Sequence, residues 1–149
     1  MPTGFRNGNA TKPKMRTTVF DSSAVLALLL EQPGADLVED LLAKAADADR
    51  AIIIGAVNWA EVFSVIERKH GAAGLEHARR FGSTMPLEIA PVDQEQAELA
   101  ATLKNKSGLG LAGAFVAALA KLRKADLVTG DREFKSVEKD MKIVWLKNS

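Results

Sequence analysis

Five short apolar runs punctuate this chain, and longer stretches with helical spacing fill the gaps between them. The runs are residues 17–20 (Thr-Thr-Val-Phe), 51–54 (Ala-Ile-Ile-Ile), 87–92 (Leu-Glu-Ile-Ala-Pro-Val), 125–129 (Ala-Asp-Leu-Val-Thr) and 142–146 (Lys-Ile-Val-Trp-Leu). Brief, β-branched and nearly continuous, they have the character of strands buried on both faces of a parallel sheet. Pro91 cannot donate to a ladder, which assigns the third run to an edge. Helical periodicity appears over residues 24–30, 35–46, 58–69, 72–82, 93–104 and 111–124. Pro33-Gly34, residues 47–50, His70-Gly71 and residues 105–110 separate these helices, and Ser22 or Ser23 and Asp93 stand where helix caps are expected. Strands alternating with helices predict an α/β domain, a mainly parallel sheet covered by helices on both sides.

Ligand crevices of such sheets open beyond the carboxyl ends of the strands, so acids at those ends matter most. Asp21 directly follows the first strand, and Asp131 follows the fourth after one glycine. Glu61 falls early in the helix after the second strand. Each has an ordinary reading of its own: a helix cap for Asp21, a turn for Asp131, a solvated helix acid for Glu61. Three acids at matching strand ends instead suggest carboxylates gathered for a hard cation, Mg²⁺ or Mn²⁺, which prefers oxygen ligands. Such a site suits phosphodiester hydrolysis. Ser22 and Thr129 flank two of the acids as supporting hydroxyls. His70 and His77 lie away from the strand tips and receive no role. Trp59 and Trp145 are expected in the core or an interface, and Arg79-Arg80 on a solvated helix face.

Composition narrows the class. At 149 residues the chain suits one domain, with 47% hydrophobic and 26% charged residues. It has no cysteine, which excludes disulfides and zinc–thiolate sites. No apolar run approaches the length of a membrane span, and the expected location is cytoplasmic. The net charge of +1 conceals a division. Arg6, Lys12, Lys14 and Arg16 give the first sixteen residues +4 with no acid, leaving −3 on the remainder. Residues 1–15 are expected to be a disordered basic leader, with Met15 the natural start, and residues 16–149 a single domain.

Taken in order, residues 19–28 (Val-Phe-Asp-Ser-Ser-Ala-Val-Leu-Ala-Leu), 56–62 (Ala-Val-Asn-Trp-Ala-Glu-Val), 109–120 (Leu-Gly-Leu-Ala-Gly-Ala-Phe-Val-Ala-Ala-Leu-Ala) and 127–134 (Leu-Val-Thr-Gly-Asp-Arg-Glu-Phe) resemble the PIN domain. The nearest likeness within that group is to VapC-type toxins of VapBC toxin–antitoxin pairs. No single motif is decisive, but the ordered set is specific. The resemblance implies a three-layer α/β/α domain with a twisted sheet and a Mg²⁺-dependent endoribonuclease with four site acids. It also implies a homodimer held inactive by a VapB-like antitoxin, with structured RNA such as transfer RNA as substrate. Asp21 matches the first acid, Glu61 the second and Asp131 the fourth, while Thr129 matches the hydroxyl residue two positions before the last.

The third acid is missing. Where the family carries Leu-Ala-Asp-Ala-Phe, this chain reads Leu111-Ala112-Gly113-Ala114-Phe115. The expected consequence is an impaired nuclease, and the alternative is an inactive PIN-fold protein that only binds an antitoxin or RNA. Other phosphotransfer folds fit worse. A haloacid-dehalogenase-like phosphatase needs a second Asp where Ser23 stands, and a receiver domain needs neighbouring acids that the first strand lacks.

Overall fold

The computed structural model describes residues 15–146; the basic leader, up to residue 14, lies outside them. The five apolar runs form the strands β1 (Thr18–Phe20), β2 (Ile52–Gly55), β3 (Leu87–Ala90), β4 (Asp126–Thr129) and β5 (Ile143–Trp145). Between them run α1 (Ser22–Leu29), α2 (Ala35–Asp47), α3 (Ala56–Thr84), α4 (Gln94–Ser107) and α5 (Leu111–Arg123), with a 3₁₀ turn at Arg132–Val137 before β5. All four strand pairings are parallel, in the order β3-β2-β1-β4-β5. The Pro91-marked run is an edge strand, which ends one residue before the proline.

The pleat distributes alternate residues to two cores. Val19, Ile53 and Leu127 pack with α4, α5 and the 3₁₀ turn. Phe20, Ile52, Ile54 and Val128 pack with α1, α2 and α3 on the other face. Both faces are therefore sealed, giving the three-layer α/β/α arrangement. Among the described residues no helix is long and apolar enough to cross a membrane.

The chain leaves β1 in one direction, through β2 to β3, and returns to the other side of β1 as β4. That reversal places a topological switch point between the tips of β1 and β4, the usual ligand position in open α/β sheets. The opposite end of the same two strands is closed by Arg16, whose guanidinium lies 2.8 Å from buried Asp126.

One glycine shapes the outer layer. Within α3, Gly71 has φ 62° and ψ −153°, outside helical space. The helix turns back there, so that a Cβ at Gly82 would stand 2.8 Å from the ring of Trp59. The two helical runs 58–69 and 72–82 are the two arms of this hairpin. Open space surrounds Gly71, so only backbone strain opposes a side chain there. Gly71→Ala is expected to cost about 1–3 kcal/mol, read as a lower midpoint in urea unfolding with an unchanged slope.

Candidate active site

Asp21 sits where β1 ends, and its backbone N–H continues the ladder by donating to Val128 O at 3.2 Å. The residue is 4% exposed. Oδ1 accepts the Ser23 hydroxyl at 2.5 Å and the Ala24 N–H at 3.3 Å, while Oδ2 accepts the Thr129 hydroxyl at 2.6 Å. Asp21 therefore caps α1 and is tied to the tip of β4. Burial pushes its pKa from the ordinary 3.8 to about 6; the three hydrogen bonds oppose that rise, and the charge of Asp131 adds to it.

The β4 tip is tied to the same carboxylate. Thr129, fully buried, accepts the Asp131 N–H at 3.0 Å through the hydroxyl that it donates to Asp21. Ser23 Oγ accepts the Gly130 N–H at 3.0 Å. Asp131 is exposed, and its Oδ1 accepts the Glu133 N–H at 3.0 Å, starting the 3₁₀ turn. The serine contacts to Asp21 and Gly130 come from Ser23 and not from Ser22, the supporting hydroxyl expected from sequence. In a helix beginning at residue 22, the second residue turns its hydroxyl back over the preceding acid, and Ser22 does not.

Glu61 lies half-buried one turn into α3. Asn58 Nδ2 donates to Glu61 Oε1 at 3.2 Å and to the Ala112 carbonyl at 3.4 Å, linking α3 to the first turn of α5. Two acceptors fix the amide's orientation. Its Oδ1 is left buried with no partner, 3.3 Å from where a Cβ on Gly55 would stand at the β2 tip. Asn58 was not singled out from sequence, although a carboxamide in the apolar run Ala-Val-Asn-Trp was a visible signal.

Glu133 was also missed. Its Oε1 accepts the Gly110 N–H at 2.9 Å, at the start of α5. Burial raises its pKa, the Gly110 N–H opposes the rise, and a side-chain hydrogen bond with Asp131 and the charges of Asp131 and Glu61 raise it further. Asp21, Asp131, Glu133 and Glu61 are thus successive members of one electrostatic group.

The geometry tests what cation this group suits. Among the described residues, no three His, Cys, Asp or Glu side chains are close enough together to enclose a metal ion. The donors are all oxygens, two of the carboxyls are pushed upward, and a buried amide oxygen beside Glu61 lacks a donor. This set does not fit a dehydrated ion ligated by three carboxylates. It does fit a hard cation that keeps several waters and takes one or two carboxylates directly, the common habit of Mg²⁺.

A PIN domain family model matches residues 18–140. Among solved structures, VapBC2 from Rickettsia felis, bound to a DNA fragment from its promoter, matches with a TM-score of 0.73 at 18% identity, covering 88% of this chain and 99% of that one. A toxin–antitoxin complex from Klebsiella pneumoniae matches with a TM-score of 0.68 at 20% identity, covering 86% and 96%. The Sarcin-Ricin loop cleaving toxin VapC20 from Mycobacterium tuberculosis matches with a TM-score of 0.67 at 13% identity, covering 81% and 95%. No curated protein sequence gives a match.

Proposed function

This chain belongs to the PIN domain family, and from that premise we propose that it is a VapC-type toxin, a divalent-cation-dependent endoribonuclease. One observation carries the reading: acids from the adjacent tips of β1 and β4 share a hydrogen-bonded frame at the sheet's switch point. Asp21, Asp131 and Glu61 would hold Mg²⁺, with Mn²⁺ as a substitute, directly or through its waters. When bound, the cation supplies electrostatic stabilisation of a phosphoryl group in transfer and lowers the pKa of water.

The chain's own groups do the rest. Ser23 and Thr129 fix both oxygens of Asp21, so its charge points one way. Asn58 holds Glu61 Oε1, leaving Oε2 to orient a water. Asp131 presents its carboxylate at the β4 tip, oriented by the Glu133 N–H on its Oδ1. The protein would act in the cytoplasm as a homodimer and be silenced by a VapB-like antitoxin. The neighbouring structures that contain antitoxins or promoter DNA support that assignment, and structured RNA, transfer RNA included, is its substrate class.

Gly113 favours a second reading, an inactive PIN protein that binds an antitoxin or RNA without cutting. Total RNA incubated with the protein in Mg²⁺, Mn²⁺ or EDTA decides between them. New 5′ ends at defined sites, present with either cation and absent in EDTA, are the expected result. Intact RNA under all three conditions, from protein that still binds its antitoxin, would establish the second reading.

A further inference from the structure

The family pattern puts its third acid on helix α5, where this chain has Gly113. The space a side chain there would enter is not empty. A Cβ built on Gly113 would lie 3.1 Å from Cδ, 3.1 Å from Oε1 and 3.1 Å from Oε2 of Glu133. The whole carboxylate of Glu133 therefore lies across the bare face of the glycine. It is anchored there by the Gly110 N–H at 2.9 Å, a free donor of the α5 N-terminus. The anchor at the other end is the Glu133 backbone, whose N–H is held by Asp131 Oδ1. Phe134, 1% exposed, fixes the turn by inserting into the core beneath α5.

Resting on the nuclease reading above, we propose that Glu133 is the third acid of this site, delivered from the 3₁₀ turn, and that Gly113 is the residue that makes room for it. The acid then comes from the 3₁₀ turn, with its carboxylate against the face of α5 at residue 113. Gly113 is then an accommodation and not a lesion. A glycine three residues into a helix gives up about 1 kcal/mol against alanine, and close approach of another group is the usual reason to keep one there. Asn58 completes the arrangement from the opposite side, since it binds the Ala112 carbonyl next to Gly113 and holds Glu61.

This exchange reverses the obvious repair experiment. Gly113→Asp alone brings a second carboxylate onto the first, within 3.1 Å at its Cβ, and displaces Glu133. Gly113→Asp combined with Glu133→Ala returns the acid to the helix and leaves room for it. Glu133→Gln is the gentle variant, because Oε1 can still accept from Gly110.

Mn²⁺ binding by isothermal titration calorimetry, with thermal melting in EDTA as the folding control, separates the cases. Glu133→Gln should weaken Mn²⁺ binding by about 10–100-fold without lowering the EDTA melting temperature. Gly113→Asp should bind Mn²⁺ no more tightly than the parent. The double variant should bind at least tenfold more tightly than Glu133→Ala. RNA cleavage should follow the same order. The proposal is overturned if Glu133→Gln binds Mn²⁺ like the parent, or if Gly113→Asp alone improves binding. The nuclease reading fails in a different way: neither the parent nor the double variant binds Mn²⁺ or cuts RNA, and the inference falls with it. Parent protein that cuts RNA, loses cutting on Asp21→Asn and keeps it on Glu133→Gln would sink the inference alone.

Discussion

Asp21→Asn is expected to reduce RNA cleavage by about 10–100-fold and, in EDTA at pH 7.5, to raise the melting temperature by about 4–8 °C. Both effects come from one feature. Asp21 is 4% exposed, and burial is the leading cause of the displacement of its pKa from 3.8 to about 6. Holding it ionised in the folded chain costs about 3 kcal/mol without a cation. An asparagine keeps the frame in altered form: its oxygen accepts from Ser23 and Ala24, its amide donates to Thr129 Oγ1, and the Thr129 hydroxyl, no longer donating to residue 21, turns to Ser23 Oγ 3.4 Å away. Part of the saving is lost to burying an amide, leaving a gain of about 2 kcal/mol.

The direction with pH follows from the same numbers. A carboxyl whose folded pKa exceeds its unfolded value binds more protons in the folded state between about 4 and 6. Stability of the cation-free protein therefore falls as pH rises through that window and levels off above it. Asp21→Asn removes this fall. Melting curves in EDTA at pH 4.5 and 7.5 should show a parent-to-variant gap that is small at the lower pH and full at the higher. A gap of the same size at both would mean that Asp21 is not the group responsible. Saturating Mn²⁺ should stabilise the parent and not the variant, because only the ionised carboxylate rewards binding.

Much of this was legible from sequence because parallel strands buried on both faces leave a strong trace. Ile52-Ile53-Ile54 is a continuous apolar run only because its alternate residues enter two different cores. Asp21 and Asp131 could be placed by reading where such runs stop. The β3 edge followed from Pro91, and the break in α3 from Gly71, though not that the helix doubles back there. The site's supporting shell was less visible. Choosing Ser23 over Ser22 depends on where the helix begins to within one residue, and helix starts are not that sharp in sequence. Glu133 escaped because its meaning lies in a contact 20 residues distant. Gly113 by itself reads as a lost acid, and only the Glu133 carboxylate across its face changes that reading. Asn58 is similar: its sequence position shows neither its burial nor its bond to Glu61.

Thr129→Val is expected to destabilise the protein by about 1.5–3 kcal/mol at neutral pH, a drop of about 4–9 °C in melting temperature. The change conserves shape and removes one hydroxyl from a fully buried position. That hydroxyl does two things at once, donating to Asp21 Oδ2 at 2.6 Å and accepting the Asp131 N–H at 3.0 Å. Losing the first strips an ionised, buried carboxylate of a donor that now holds its pKa down, so the Asp21 pKa climbs beyond about 6. Losing the second frees the tip of β4 and the acid it carries. The two losses separate by pH. The Asp21 contribution is largest where that group is ionised, whereas the Asp131 N–H goes unpaired at every pH. A destabilisation greater at pH 8 than at pH 4.5 identifies the carboxylate as the main beneficiary of the hydroxyl; an equal one assigns the role to the β4 turn. The rising limb of the cleavage pH profile should move to higher pH in Thr129→Val and return in Thr129→Ser, which restores the hydroxyl without the methyl group. Loss of the methyl alone should cost only about 1 kcal/mol. A variant restored in its pH profile but still slightly less stable would therefore separate the electrostatic part played by this threonine from its packing.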